Sequence, residues 1–232
     1  MTTAAVAAHP SWNAWANDRG TFELYRRRCR REAEEMTCAA QAAGILRSRV
    51  EPGSGETLLD AGCGGGYYWW SLADRGVDVE YHGIDHTPEI VALGREELAP
   101  RAGLDPERIR LGDIEHLEDE YDTILCFNVL TNSPHYARPL ERMLRCARKR
   151  VLLRESMGSE LVVRYTPDPY LDEGKRHIRV YHNEYPIDEV EGLMREEGFA
   201  VTRIRDERTG DGVEMVVDIP HRWRILLAER RG

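Results

Sequence analysis

The chain has 232 residues, of which 41% are hydrophobic and 31% are charged, a composition that predicts a globular domain with a real apolar core. The formal net charge of −9 and the pI of about 5.5 argue against general electrostatic binding to nucleic acids or anionic membranes. The first residues lack the pattern of a signal peptide, and no stretch is apolar for long enough to span a bilayer. We therefore expect a cytoplasmic protein.

The cysteines give no sign of a metal or redox site. They are Cys29, Cys38, Cys63, Cys126 and Cys146, and no two of them form a C-x-x-C pair. Reduced thiols in the cytosol fit this spacing best. We predict no bound metal.

Residues 1–50 predict an N-terminal helical cap, or lid, in which residues 12–46 are helical. Trp12 and Trp15 lie one helical turn apart, as do Phe22 and Tyr25. The cap also contains a basic run: Arg26, Arg27, Arg28, Arg30 and Arg31. This run reads best as a solvated helix face whose arginines pair with nearby glutamates, and a site for RNA or a phosphate-bearing substrate is the alternative.

Strand and helix patterns alternate after a turn at residues 51–55. Strands are predicted at residues 57–61, 78–85, 108–111, 121–128 and 151–154, and helices at residues 67–75, 88–98 and 138–148. This alternation predicts an α/β fold built from right-handed βαβ units around a mostly parallel sheet. Residues 51–232 form the predicted core.

The last part of the chain has a different pattern. A helix is predicted at residues 187–197, followed by strands at residues 199–205, 213–219 and 223–228 with a turn at residues 209–212. Strands joined by turns pair antiparallel, so we expect a mixed sheet. Residues 156–186 form an insertion after the fifth strand, and long excursions of this kind are more often functional than accidental.

A glycine-rich loop, Asp60-Ala61-Gly62-Cys63-Gly64-Gly65-Gly66, follows the first predicted strand. Open parallel sheets bind ligands beyond the carboxyl ends of their strands, and glycines let a ligand approach the backbone closely. Asp85 and Asp113 follow the next two strands, where carboxylates can accept hydrogen bonds from ribose hydroxyls and from the amine of a base. Three carboxylates favour a ligand with a cation, a ribose and a base over a pyrophosphate.

Four motifs resemble those of the class I S-adenosylmethionine-dependent methyltransferases. They are LLDAGCGGG at 58–66, YHGIDHTPE at 81–89, LGDI at 111–114 and YDTILCFNVL at 121–130. The resemblance covers residues 51–155 and, more loosely, the C-terminal part, and residues 25–36 look like the N-terminal helix of bacterial members that act on small molecules. It implies a Rossmann-like seven-stranded mixed sheet with helices on both faces, and S-adenosyl-L-methionine as the cofactor.

The resemblance also implies a set of cofactor-binding residues. They are Asp60, Gly62, Cys63, Gly64, Asp85, His86, Gly112, Asp113, Ile114, Asn128 and Val129. In this set Asp60 would lie near the amino group of the methionine end, Asp85 would hold the ribose, Asp113 and Ile114 would contact the adenine, and Asn128 would line the opening for methyl transfer.

The main rival in this fold is a nicotinamide-dependent oxidoreductase, whose fingerprint is G-x-G-x-x-G. Gly62 and Gly64 match the first two glycines, but Tyr67 occupies the position of the third. Asp60 would also be poorly placed near a pyrophosphate. The sequence therefore disfavours this class.

Four consecutive rings, Tyr67, Tyr68, Trp69 and Trp70, follow the glycine loop. Helical residues advance by about 100° each, so the four rings cannot all face the sheet. We expect Tyr68 and Trp69 to face the core, and Tyr67 and Trp70 either to pack beneath the N-terminal cap or to wall a substrate chamber. The predicted substrate-binding residues are Tyr25, Tyr67, Trp70, Tyr181 and Tyr185.

Candidate catalytic residues come from the loop after the fourth main strand and from the insertion. His135 is the first candidate for a general base because an imidazole titrates near neutral pH, and Asn132 and His182 are the others. Surface or structural roles for these histidines remain the alternative. A tyrosine-rich insertion also suits a small aromatic or polar substrate.

These observations lead to the hypothesis of a biosynthetic methyltransferase that acts on an oxygen or nitrogen atom of a small-molecule metabolite. An RNA methyltransferase that uses the basic run, and a non-catalytic cofactor-binding partner, are the alternatives. RNA is the less favoured substrate, DNA and membrane partners are not expected, and a homodimer remains open.

Overall fold

The computed structural model describes residues 14–15 and 17–231. Its α-helices are α1 (Arg19–Cys29), α2 (Thr37–Arg47), α3 (Tyr68–Asp74), α4 (Pro88–Leu93), α5 (Ala99–Ala102), α6 (Ala137–Cys146) and α7 (Ile187–Glu196). Its strands are β1 (Thr57–Ala61), β2 (Glu80–Asp85), β3 (Ile109–Leu111), β4 (Tyr121–Phe127), β5 (Ala147–Gly158), β6 (Tyr165–Pro167), β7 (Arg179–Tyr181), β8 (Tyr185–Pro186), β9 (Phe199–Ile204), β10 (Glu214–Val216), β11 (Ile219–His221) and β12 (Trp223–Arg230). The described residues also contain short helical turns: 3₁₀ turns at Pro106–Arg108, Ile114–His116 and Leu130–Asn132, and a π turn at Gly94–Leu98.

The central sheet has the strand order β3-β2-β1-β4-β5-β12-β9. The first five strands are parallel, and β12 pairs antiparallel with both β5 and β9. The two-residue strand β8 extends the sheet beside the end of β5. The predicted Rossmann-like mixed sheet is therefore confirmed, with seven strands on the main path and β8 as an addition.

Both faces of the sheet are covered, which explains why its central strands are apolar throughout. Leu59 and Ile124 belong to a buried cluster on one face, whereas their neighbours Leu58 and Leu125 belong to a cluster on the other. Successive strand residues point to opposite faces, so a strand buried on both sides needs continuous hydrophobic sequence. This packing fixes the carboxyl ends of β1, β2, β3 and β4 along one edge.

The N-terminal cap differs from the prediction of one helical segment over residues 12–46. The described part contains two helices, α1 and α2, separated by residues 30–36. Arg31 lies in this break with φ +61°, a left-handed conformation that no helix interior tolerates. The side chain of Glu35 accepts hydrogen bonds from Ser71 and Arg75, each at 2.7 Å, and so holds the break against α3. Trp12 lies outside the described residues.

Three other boundaries also differ from the sequence prediction. The helix predicted over residues 88–98 is α4 followed by the π turn, because Gly94 packs against Gly65: a Cβ on Gly94 would lie 2.7 Å from the Gly65 carbonyl oxygen. The helix predicted to end at residue 148 ends at Cys146, where β5 begins. The single strand predicted over residues 213–219 is the β10–β11 hairpin, whose two turn residues, Val217 and Asp218, have positive φ.

The insertion forms a β6–β7 hairpin and then returns to the sheet at β8. In the part of the chain that the structure describes, no helix combines the length and the apolar character needed to cross a bilayer.

Candidate active site

The glycine loop after β1 has a backbone that only glycine fits. Gly62 has φ +77° and Gly64 has φ +55°, and both amide nitrogens at positions 62 and 63 donate to the Ile84 carbonyl, at 2.8 and 2.9 Å. A Cβ on Gly62 would lie 2.4 Å from Val129 Cγ2, and one on Gly64 would lie 2.5 Å from the ring of Tyr25. Any side chain here would fill the space between the loop and its walls.

Asp85 at the end of β2 organises this loop. Its Oδ2 accepts a hydrogen bond from the Gly64 amide and its Oδ1 accepts one from the Thr87 amide, each at 2.9 Å. A carboxylate has about four lone-pair directions, so two remain for a ligand. The Asp85 backbone carbonyl accepts from the amide of Gly112, which fixes the next strand end beside it.

Asp60 at the end of β1 is buried, and the hydroxyl of Tyr81 donates to its Oδ2 at 2.8 Å. The pKa of Asp60 is raised to about 7, mainly by burial; the Tyr81 hydrogen bond lowers it, and the negative charge of Asp85 adds a smaller upward shift. Asp60 therefore gives up its proton near neutral pH, and a cation beside it would favour the charged form.

Asp113 lies on the outer rim of the same edge. It is exposed, and its Oδ1 accepts a hydrogen bond from the Glu115 amide at 2.9 Å, which caps the 3₁₀ turn Ile114–His116. The second carboxylate oxygen, Oδ2, lies 3.8 Å from Nδ1 of His116.

A cavity of about 1060 Å³ lies over these strand ends. The residues predicted from the sequence that line it are Asp60, Gly62, Cys63, Gly64, Asp85, His86, Gly112, Asp113, Ile114, Asn128, Val129, Asn132, Tyr25, Tyr67 and His182. Those that do not are His135, Trp70, Tyr181 and Tyr185. The structure thus brings the whole predicted cofactor set to one cavity and divides the predicted catalytic and substrate sets.

The residues outside the cavity have structural contacts. His135 is exposed, and its Nε2 lies 2.8 Å from Glu115 Oε1. Trp70 packs beneath α1 and donates from Nε1 to the Cys29 carbonyl at 3.1 Å. Tyr181 stacks on Tyr165 within the β6–β7 hairpin.

Tyr185 is also outside the cavity, but it supports the loop that lines it. Its hydroxyl is buried and donates to the Leu130 carbonyl at 2.6 Å. Burial raises the pKa of this phenol well above its usual value, so the hydroxyl keeps its proton. The contact fixes residues just beyond Asn128 and Val129.

The loop after β4 depends on two charged residues that sequence reasoning did not single out. Glu155 is buried and accepts three backbone hydrogen bonds, from Val129 at 2.9 Å, Leu130 at 3.0 Å and Thr131 at 2.8 Å. Arg154 donates to the side chain of Asn128, which has φ +61°. The sequence did contain a signal for them: two adjacent charged residues in a strand that is buried on both faces need partners within the fold.

Arg154 is itself held in place. Its Nε donates to Asp206 Oδ2 at 2.6 Å, and its guanidinium lies 4.5 Å from the ring centroid of Trp223. The charge of the buried arginine is thus matched by a buried carboxylate. Trp223 also lines the cavity, so this network connects the β4 loop with its far wall.

Two buried histidines face the cavity at that far wall. His182, in the insertion, is 5% exposed and His221, at the end of β11, is 1% exposed, and their ring centroids are 5.5 Å apart. Among the described residues, none of their four ring nitrogens has a hydrogen-bond partner. Burial lowers the pKa of both imidazoles, that of His221 to about 4, so both are neutral at physiological pH. His221 was not predicted as a site residue; it lies between the strands that the sequence predicted at residues 213–219 and 223–228.

A family model described as a methyltransferase domain matches residues 52–173, which is more than half of the chain. The chain belongs to this family of class I S-adenosylmethionine-dependent methyltransferases. Its cofactor is S-adenosylmethionine. No protein of curated function matches the sequence significantly.

Solved structures share the fold of this methyltransferase at low sequence identity. Magnesium protoporphyrin IX methyltransferase from Synechocystis PCC 6803, with bound S-adenosylmethionine, is 18% identical with a TM-score of 0.61, over 97% of this chain and 99% of that one. Mitomycin 7-O-methyltransferase is 19% identical with a TM-score of 0.60, over 96% of this chain and 61% of that one. An S-adenosylmethionine-dependent methyltransferase from Clostridium acetobutylicum is 13% identical with a TM-score of 0.60, over 92% and 98%.

The cavity of this methyltransferase fits the chemistry of its cofactor. The glycine loop leaves a cradle that any Cβ would fill, and the carboxylates of Asp60, Asp85 and Asp113 line one edge. Carboxylates repel the phosphates of a dinucleotide and attract the positive charges of a sulfonium amino acid. The residues present therefore suit a cationic nucleoside.

The basic run of the methyltransferase, at the end of α1 and in the break after it, is engaged within the chain. Its contacts are Arg26 with Glu23, Arg27 with the Glu32 carbonyl, Arg28 with the ring of Tyr67, Arg30 with Glu97 and Arg31 with Asp74. Only Arg26 pairs with a glutamate at the helical spacing that the sequence favoured, whereas Arg30 and Arg31 pair with Glu97 and Asp74 on other elements. These contacts give no support to the alternative of an RNA-binding face.

Proposed function

We propose that this protein transfers a methyl group from S-adenosylmethionine to an oxygen or nitrogen atom of a small-molecule metabolite. The observation that carries this proposal is the single cavity, which joins the carboxylate-lined strand ends to an enclosed far wall formed by the insertion and the β10–β11 hairpin. Such a chamber has the size and the mixed lining of a small-molecule site.

Within this proposal, the residues along the strand ends hold the cofactor. Asp85 accepts hydrogen bonds from the ribose hydroxyls with its remaining lone pairs, and Asp113 reads the exocyclic amine of the base. Asp60 neutralises the amino group, and Gly62 and Gly64 let the methionine end lie against the backbone. When bound, S-adenosylmethionine supplies an electrophilic methyl group, while the protein aligns the acceptor and excludes water.

The N-terminal cap and the insertion together cover the chamber. The Arg19 amide donates to Asp172 Oδ2 at 3.0 Å, and Lys175 Nζ donates to Asn17 Oδ1 at 3.2 Å. Tyr25 packs its ring edge-on against Tyr67, with centroids 5.4 Å apart, and closes the side over the glycine loop. A cover of this kind removes water from the site of transfer and fixes the reacting groups.

Two further observations support a small substrate and an intracellular enzyme of biosynthesis. The names of two structural neighbours specify small acceptors, magnesium protoporphyrin IX and mitomycin. The five cysteines are all buried and unpaired in the structure, which fits a reducing compartment and a cytoplasmic location.

The proposal is tested with deuteromethyl-labelled cofactor. The purified protein is incubated with a metabolite extract, and mass spectrometry is used to search for a product heavier by one deuteromethyl group. We expect a labelled metabolite that is absent when the enzyme is omitted. Calorimetric binding of S-adenosylhomocysteine without any labelled small molecule would instead favour the non-catalytic partner, and label in added RNA would favour the RNA methyltransferase.

A further inference from the structure

His182 and His221 form a polar patch that the cofactor roles above do not use. Both line the cavity, both are at least nine-tenths buried, and the four ring nitrogens have no partner among the described residues. A buried polar group without a hydrogen bond costs free energy, so such a pair is retained where a ligand satisfies it. The patch therefore has the character of a binding subsite.

The two histidines are held together by contacts on either side of them. Glu184, two residues after His182, forms an ion pair with Arg222, the residue after His221, at 2.8 and 3.0 Å. The backbone of Arg222 is bonded in turn to β5: its amide donates to Ser156 Oγ at 3.1 Å, and its carbonyl accepts from the Met157 amide at 2.8 Å. The pair is thus anchored to the central sheet.

The ring of His221 is oriented by stacking on Trp223, with centroids 5.0 Å apart and planes within 8°. The backbone of His182 is fixed, because its amide donates to the Arg164 carbonyl at 2.9 Å, and its ring lies tilted against that of His221. The His221 imidazole is therefore preorganised for a ligand.

Charges of both signs lie near the pair. Burial is the main cause that lowers the pKa of both imidazoles; Asp168, which lines the cavity, raises that of His182, and Arg164 lowers both to a smaller extent, so the two charged residues oppose each other at this wall. Elsewhere the cavity is lined by the carboxylates of Asp60, Asp85 and Asp113, which disfavour an anionic ligand. A neutral ligand avoids this penalty and does not depend on the opposed charges of Asp168 and Arg164.

Two neutral imidazoles offer one N–H donor and one lone-pair acceptor each. A hydroxyl group also donates and accepts, so it matches both kinds of nitrogen, whereas a carboxylate only accepts and an ammonium only donates. The surrounding walls are aromatic and aliphatic, with Trp223, Leu171, Val180 and Val216 in the lining. Flat apolar molecules suit such walls.

We infer that His182 and His221 form the acceptor-binding subsite, and that the substrate is a neutral aromatic molecule whose hydroxyl group hydrogen-bonds to this histidine pair. This inference rests on the proposed function, because it takes the strand-end half of the cavity as the cofactor site. His221 binds as a neutral imidazole stacked on Trp223, and His182 approaches the same hydroxyl from the insertion.

Binding of three matched probes tests the subsite. The probes are 2-naphthol, its ether 2-methoxynaphthalene and the anion 2-naphthoate, each titrated into the protein saturated with S-adenosylhomocysteine. We expect 2-naphthol to bind roughly tenfold more tightly than either of the others, since a site built for a hydroxyl rejects analogues that leave its polar groups unmatched. Tighter binding of the ether or of the anion would overturn the inference.

Variants separate hydrogen bonding from packing. His221→Phe keeps a ring on Trp223 and His182→Phe keeps a ring in the insertion, and each should reduce the preference for 2-naphthol by roughly fivefold or more. His221→Gln restores a donor and an acceptor and should recover part of that preference. His177→Phe, at an exposed position of the same insertion, is the matched control and should bind all three probes as the wild type does.

Two further readouts keep the result decisive. In protein labelled with ¹⁵N-histidine, 2-naphthol should shift the ring nitrogens of His182 and His221 and leave those of His177 in place; no shift at either buried ring would contradict the subsite. Affinity for S-adenosylhomocysteine should remain unchanged in every folded variant. A wild-type protein that does not bind S-adenosylhomocysteine would refute the proposed function. A wild-type protein that binds S-adenosylhomocysteine but shows no preference for 2-naphthol would refute only the subsite.

Discussion

The two ends of the cavity are built on different principles. At the strand ends, the polar atoms are already hydrogen-bonded within the protein. Asp85 accepts from two backbone amides, Asp60 accepts from the Tyr81 hydroxyl, and amides of the glycine loop donate to the Ile84 carbonyl. At the far wall, the imidazoles of His182 and His221 have no hydrogen-bond partner among the described residues. The first end is rigid before any ligand arrives, and the second has hydrogen bonds still to make.

This difference follows from which parts of the chain build each end. The strand ends belong to the sheet that all class I methyltransferases share, and their residues lie between positions 60 and 130. The far wall comes from the insertion and the β10–β11 hairpin, which lie outside the parallel part of the sheet. Under the proposed function, cofactor binding is assigned to the strand ends of the sheet and acceptor binding to the insertion and the hairpin.

Among substitutions at the strand ends, Gly62→Ala should have the largest effect on cofactor affinity. Gly53 has the same φ of +77°, but a Cβ there meets nothing within 4 Å, whereas a Cβ on Gly62 meets Val129 at 2.4 Å. We expect Gly62→Ala to lower the affinity for S-adenosylhomocysteine by roughly a hundredfold, because stiff Val129 cannot move without displacing the β4 loop. Gly53→Ala is the matched control. Its free energy of unfolding should fall by only about 1 kcal/mol, because the substitution introduces backbone strain at positive φ and no side-chain clash.

Calorimetry and chemical denaturation of both variants measure these effects. Equal loss of cofactor affinity in the two variants would mean that backbone strain alone, rather than contact with Val129, explains the requirement for glycine.

Asp85→Ala is the next largest change. It removes the carboxylate that positions the Gly64 amide and that we assign to the ribose, so we expect affinity for S-adenosylhomocysteine to fall by about tenfold or more. Asp105→Ala is the control, since Asp105 accepts a similar backbone hydrogen bond from Glu107 outside the cavity lining. Unchanged affinity in Asp85→Ala would remove the ribose assignment.

The charge of Asp60 gives a pH-dependent test. Its pKa of about 7 lies above the usual 3.8, so the ligand-free fold loses stability as the pH rises from about 4 through 7, where the carboxyl ionises in the folded state. A cationic ligand needs the ionised form. We expect affinity for S-adenosylmethionine to fall by up to about tenfold between pH 8 and pH 6.

Asp60→Asn supplies the comparison for that test, because it removes the titrating group and should flatten both the stability and the affinity profiles. Calorimetry in buffers of different ionisation enthalpy should also show proton release on binding to the wild type. A wild-type affinity that is independent of pH would contradict the assignment of Asp60 to the amino group of the cofactor.

The smallest effect is expected at His135. The sequence makes it the first candidate for a general base, but in the structure its exposed imidazole lies outside the cavity lining and contacts Glu115, a residue of that lining. We expect His135→Ala to change turnover by less than about threefold, as for a surface ion pair. A loss of turnover of about a hundredfold in the labelled-methyl assay would mean that His135 acts as a general base. It would also weaken the assignment of acceptor binding to the far wall.

The sequence predicted the strand ends well because their signals are local. Asp60, Asp85 and Asp113 each end a strand of recognisable pattern, and parallel strands bring such ends to one edge. The far wall could not be predicted in the same way. His221 meets His182 only because the insertion and the hairpin fold against each other, and the turn before it places the β-branched Val217 at positive φ, a residue type that gives no turn signal.

The N-terminal cap shows the same limit. The sequence around Arg31 contains neither glycine nor proline, so nothing local marks the break between α1 and α2. The contacts of Arg31 with Asp74 and of Glu35 with Ser71 set it, and these are long-range. Likewise, the spacing of the four rings left Tyr67 and Trp70 undecided, and packing against α1 divides them between the cavity and the helix interface.

The most direct measurement is a crystal structure of the protein with S-adenosylhomocysteine and 2-naphthol. The account predicts the ribose hydroxyls on Asp85, the homocysteine end against Gly62 and Gly64, and the naphthol oxygen within hydrogen-bond distance of His182 or His221. A nucleoside bound away from Asp85, or a naphthol that leaves both imidazoles untouched, would contradict it.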